Sequence, residues 1–129
     1  PLRDMNPNGD AKDELMNYVR RKLDLSRNFP RESRLFANEI VQGAPRIDTF
    51  LKGDLKNLVD EKAKVISGWM DKGLIARFDP HHLIFSIWAL TQHYADFEAQ
   101  TSLIMGKDSD KIYDDASIFL EAIFEKILA

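Results

Sequence analysis

An all-α domain is the fold class that the sequence predicts. Apolar residues recur at helical spacing along nearly the whole chain, and start and stop signals divide it into five helical segments. No stretch alternates apolar and polar residues as a half-buried strand would. The 129 residues, 44% of them hydrophobic, suit one domain over residues 1–129 with a core of its own.

Asp10 is positioned to cap a first helix, with Asp13 and Glu14 in its first turn. Leu15, Tyr18, Val19 and Leu23 then follow at helical spacing to about Arg27. Pro30 suits the opening turn of a second helix, carrying Leu35, Phe36, Ile40 and Val41. Gly43 stops that helix, and Pro45 starts a third running to about Lys72. Ile47, Phe50, Leu51, Leu55, Leu58, Val65, Ile66 and Trp69 form its apolar face, with Gly53 tolerated inside it. Gly73 closes the third helix. Asp79-Pro80 supplies the cap and first residue of a fourth, extending to about Met105. Gly106 ends the fourth, and Asp108 or Ser109 caps a fifth that reaches almost to Ala129.

The last two helices carry more apolar surface than one core needs. Ile112, Ala116, Phe119, Leu120, Ile123 and Ile127 form one stripe on the fifth, widened by Tyr113, Phe124 and Leu128. The fourth is apolar on two sides, with Ile84, Trp88 and Ala95 on one and Leu83, Leu90, Tyr94 and Phe97 on the other. This pattern suggests a four-helix bundle shared by two subunits, a homodimer through Leu83, Leu90, Tyr94, Phe97, Phe119, Ile123, Phe124 and Ile127. A fourth helix wholly buried within one subunit is the alternative.

Composition excludes several classes of function. With no cysteine, disulfides, thiolate metal sites and thiol nucleophiles are ruled out. No apolar run approaches the ~18 residues of a membrane span, and no secretory signal opens the chain, so a cytoplasmic protein is expected. Lys and Arg (18) are outnumbered by Asp and Glu (21), a net charge of -3 that argues against a nucleic-acid-binding face. The basic stretch of Arg20, Arg21, Lys22, Arg27, Arg31 and Arg34 is read as a solvated helix end complementing the dipole.

Residues 87–97 are the least generic part of the chain, because Thr91, Gln92, His93 and Asp96 interrupt an apolar helix. Trp88 and Gln92, four apart, share a face. An indole plane beside a primary amide could stack on and hydrogen-bond a small planar polar molecule. A hydrogen bond from Gln92 to a neighbouring helix is equally compatible with the spacing. His93 and Asp96 could hold two positions of a metal, but His82 lies about 16 Å away along the axis and cannot complete the set. His81 and His82 fall in an exposed first turn. No metal or cofactor is expected, and neither is catalysis. The chain has no phosphate-binding Gly-rich loop, no Gly-x-Ser-x-Gly elbow, no His-Glu-x-x-His and no Glu-x-x-His pair.

Residues 33–36 and 43–45, then Gly53-Asp54-Leu55-Lys56 with Asp60-Glu61-Lys62, form a recognisable set. With Asp79-Pro80, His82-Leu83-Ile84-Phe85 and residues 88–97, they resemble the C-terminal domain of the TetR family of transcriptional regulators. The likeness is to the branch that controls pyrimidine utilisation. It covers nearly the whole chain, is most specific over residues 91–97, and rests on helical pattern over residues 100–129. The resemblance implies a homodimer paired through its last two helices. It also implies a core that senses uracil or a related pyrimidine and sets the spacing of DNA-reading heads. Trp88 and Gln92 sit where the pocket residues are expected, with Phe36, Tyr18, Asn38, Glu39 and Trp69 as further candidates. The helix-turn-helix reader and connecting helix are expected upstream of Pro1, so DNA would be a partner only through that absent domain. A structural dimerisation module without a ligand is the alternative.

Overall fold

The computed structural model describes residues 1–46 and 51–129. The described residues form six α-helices and no strand: α1 Ala11–Asn28, α2 Pro30–Val41, α3 Lys56–Asp71, α4 Pro80–Asp96, α5 Glu98–Met105 and α6 Ser109–Leu128. A 3₁₀ turn (Leu2–Asp4) precedes α1, and a π-helical turn (Leu51–Leu55) leads into α3. The expected apolar positions Ile47 and Phe50 lie outside the described residues.

Local chemistry accounts for most helix boundaries. Asp10, Asp79 and Asp108 each accept a hydrogen bond from the backbone N–H three residues on, at 3.0, 3.1 and 3.0 Å. Pro30 and Pro80 occupy first turns, where a missing N–H costs nothing. Gly106 terminates α5 at φ 64°, where a side chain would be strained.

The expected fourth helix is two helices. Phe97 leaves helical geometry at φ -117°, although its N–H still reaches the His93 carbonyl (2.9 Å). The reason lies far off in sequence: Arg34 Nη1 donates to the Ala95 carbonyl at 2.9 Å and competes for the group that continuing helix would use.

Helix α1 is central and packs on α2, α4 and α6, while α3 packs on α4. The core joins Leu15, Val19 and Leu23 of α1 to Ile66 and Trp69 of α3, Ile84 and Ile87 of α4, and Leu120 and Phe124 of α6. Lys62 is buried and donates its Nζ to the Met5 carbonyl at 2.8 Å, so the N-terminal segment is held against α3. At the rim, Arg20 pairs with Glu121, and Arg27 with Asp114 at 2.9 Å, tying α1 to α6. Such exposed pairs contribute about 0–1 kcal/mol each.

Candidate ligand cleft and exposed apolar faces

Two turns of helix, on α1 and α4, build the polar part of a cleft of ≈ 500 Å³. Tyr18 and Lys22 are one turn apart on α1; Trp88 and Gln92 are one turn apart on α4. Phe36, Ile40 and Val41 of α2 close one side, and Leu58 and Leu2 another. Phe36, Ile40 and Val41 are exposed rather than buried in the core (Phe36 49%, Val41 84%), because that face of α2 looks onto the cleft, whereas the exposed Leu35 does not line it.

The indole N–H of Trp88 donates to the Tyr18 hydroxyl at 2.6 Å, which locks the two rings together. Tyr18 is buried, and its pKa is pushed up to about 12, chiefly by that burial. Its oxygen accepts from Trp88, so its own proton is free to donate. Gln92 Nε2 donates to the Ser33 carbonyl and to Asp96 Oδ1, both at 3.0 Å. Those partners only accept, so the amide orientation is fixed and Oε1 is left without a donor among the described residues. Gln92 therefore does bond a neighbouring helix, and what it still offers a ligand is an acceptor.

Of the residues singled out from the sequence, Tyr18, Phe36, Trp88 and Gln92 come together at this cleft. Asn38, Glu39 and Trp69 do not line it. Trp69, 4% exposed, packs in the core under α3. The Glu39 carboxylate closes the turn after α2, accepting from the Arg46 backbone N–H and from Arg46 Nε, both at 2.8 Å. The Arg46 backbone N–H holds it below the usual carboxylate range. That turn carries Ala44 at φ 55°, a left-handed residue within it. Asn38 is exposed.

Lys22 is one of the cleft residues that sequence reasoning missed, having been counted with the solvated basic stretch. Its register was the available signal, since position 22 falls between Tyr18 and Ser26 on the buried side of α1. Burial lowers its pKa, and no ion pair or hydrogen bond engages it among the described residues. Within the rest of the basic stretch, Arg20, Arg27 and Arg34 pair with Glu121, Asp114 and Glu98, and Arg31 is exposed. Arg21 keeps two buried guanidinium nitrogens, Nε and Nη2, without a hydrogen-bond partner among the described residues. His93 is exposed and stacks on Phe97 at 4.8 Å, and Asp96 serves Gln92. No cluster of three metal-ligating side chains occurs among the described residues.

The expected dimer-forming residues divide by burial. Leu83 and Phe124, 5% and 0% exposed, belong to the subunit core and have no surface left for a partner. This corrects their placement at an interface. The buried stripe of α6 is Ile112, Tyr113, Ala116, Leu120, Phe124 and Leu128, about one position round from the expected one. Leu90, Tyr94 and Ile123 are half-buried against the core, and Ile127 is half-buried. Phe97 and Phe119 are exposed, at 50% and 54%. Phe97 continues an exposed row on α4 through Phe85, Ala89 and His93; Phe119 lies with exposed Ile118 and Ala122 on α6.

The family model described as "YcdC-like protein, C-terminal region" (TetR_C_3) matches residues 1–128, and the chain belongs to this family of TetR-type C-terminal domains. Among its relatives are the HTH-type transcriptional regulator RutR of Escherichia coli O157:H7, of Escherichia coli K12 and of Shigella flexneri. Each is 51% identical over 92 residues, which is 71% of this chain and 43% of the relative. The matched stretch thus spans less than half the length of these relatives. They are named as transcriptional regulators, not as enzymes. No helix among the described residues is long and apolar enough to cross a membrane.

Proposed function

We propose that this domain is the effector-binding and dimerisation part of a cytoplasmic TetR-type transcriptional regulator, and that its effector is uracil or a closely related pyrimidine. In this reading, effector binding controls the grip of an N-terminal helix-turn-helix domain on DNA. The observation that carries the proposal is the Tyr18–Trp88–Gln92 constellation in an apolar cleft. It offers a flat indole, a hydroxyl proton and an amide oxygen whose own N–H groups are already engaged. A pyrimidinedione has a flat face, ring N–H groups for the amide oxygen and carbonyls for the hydroxyl. The similarity to regulators named RutR supports the same reading.

Dimerisation in this proposal buries the exposed rows of α4 and α6 against a second copy of the chain. Phe97 and Phe119 are retained as interface residues; Leu90, Tyr94, Ile123 and Ile127 support them from behind. The alternative, a dimerisation module without a ligand, draws on the internal satisfaction of the Gln92 amide nitrogen. Calorimetric titration with uracil separates the two. Saturable heat that Trp88→Ala abolishes is expected; no heat and no thermal shift from uracil would remove the pyrimidine effector.

A further inference from the structure

The charged side chains that line the cleft itself are of one sign, and the adjoining space beyond Phe36 and Gln92 carries one carboxylate, Glu32. In a protein of net charge -3, the described residues that line it include Lys22 and Arg3 and not one Asp or Glu. Neither cation is used by the fold, since no ion pair or hydrogen bond engages Lys22 or Arg3 among the described residues. Lys22 also lines a second cleft of ≈ 330 Å³ on the other side of Phe36 and Gln92, so its amine stands where the two spaces meet. Leaving an ammonium group in a largely apolar wall without an ion pair is costly, and Glu32, the carboxylate of the adjoining space, makes none with it. A ligand that brings the missing charge recovers that cost.

The polar groups have an orientation as well as a sign. From α1 come two donors one turn apart, the Tyr18 hydroxyl and the Lys22 ammonium group. From α4 comes one acceptor, Gln92 Oε1. A ring with its N–H edge toward α4 and its oxygen edge toward α1 satisfies both sides. We infer that the cleft selects the anionic form of its ligand: a planar ring whose N–H meets Gln92 and whose negatively charged oxygen meets Lys22. That oxygen could belong to a ring carboxylate or to an ionised ring. The inference rests on the pyrimidine reading above and narrows it.

Calorimetry at neutral pH on the 129-residue chain tests it with three probes. These are uracil, which is neutral; uracil-6-carboxylate; and 5-nitrouracil, whose acidic ring ionises without a carboxylate. At least one anionic probe is expected to bind about tenfold or more tighter than uracil, the scale of one charge-assisted hydrogen bond. The probe that gains shows which source of charge the site takes. Lys22→Met should erase the preference and Lys22→Arg should keep part of it, with thermal unfolding confirming that both variants fold. If uracil binds and neither anion binds tighter, or if Lys22→Met leaves the preference intact, the charge inference falls and the pyrimidine reading stands. If no pyrimidine binds, the pyrimidine reading falls, and benzoate against benzamide then decides the matter of charge. A Lys22-dependent preference for benzoate upholds selection of an anion, and its absence overturns it.

Discussion

Replacing Gln92 by Leu deletes two hydrogen bonds at once, and the structure fixes what that should cost. One runs to the Ser33 carbonyl on α2 and one to the Asp96 carboxylate, each at 3.0 Å. Buried, a neutral bond contributes about 1 kcal/mol and one to a charged group about 2 kcal/mol, for a gross loss near ~3 kcal/mol. Both lie at half-buried positions, so water re-solvates the stranded carbonyl and carboxylate and roughly halves the loss. The new leucine regains less than about 1 kcal/mol, since half of it stays exposed. A net destabilisation of about 1 kcal/mol is left, a fall in Tm of about 4 °C for a domain of this size. Thermal and urea unfolding followed by far-UV circular dichroism, at one fixed protein concentration, reads this directly. A Gln92 without partners on α2 and α4 would leave Gln92→Leu neutral or slightly stabilised; the two bonds reverse that sign. Unchanged or raised stability would refute the hydrogen-bond pattern assigned to Gln92.

Other perturbations separate core from surface. Phe124→Ala should cost about 3–5 kcal/mol in unfolding free energy, because it empties a fully buried site. Phe119→Asp should leave the unfolding of the isolated subunit within about 0.5 kcal/mol, yet shift any self-association measured by sedimentation toward monomer. Alkaline titration offers an independent check. Burial pushes Tyr18 and Tyr113 up to about 12 from about 10, and the Tyr113 hydroxyl donates to the Ser26 carbonyl at 2.9 Å. A raised tyrosine pKa gives stability that is complete below pH ~10 and lost as the pH climbs through ~12, on the order of 2 kcal/mol per residue. Tyr113→Phe should flatten that decline in urea unfolding between these pH values; an unaltered slope would count against the burial argument.

How much of this was legible in the sequence follows the range of the forces involved. Asp10, Asp79, Asp108, Pro30 and Gly106 could be read directly because capping is settled within one helical turn. The break at Phe97 could not, since it depends on Arg34 reaching a carbonyl 61 residues away in sequence. Trp69 and Trp88 present the same side chain on helices of similar pattern; only packing sends one into the core and the other to the cleft. Lys22 was hidden by its neighbours, because the two arginines before it are a better guide to solvent than a lysine is to a pocket. On α6, a wide apolar arc left the inward direction undecided by about one residue, enough to put the buried Phe124 at the surface beside the exposed Phe119.

The division between the two tryptophans gives the protein a built-in pair of optical channels. The sequence has two indoles and no more, one sealed in the core and one hydrogen-bonded to a tyrosine at the mouth of the cleft. Emission from Trp69 follows whether the chain is folded, while emission from Trp88 follows whether its immediate surroundings are filled. A change that moves the second signal and spares the first reports on occupancy alone, without any added label.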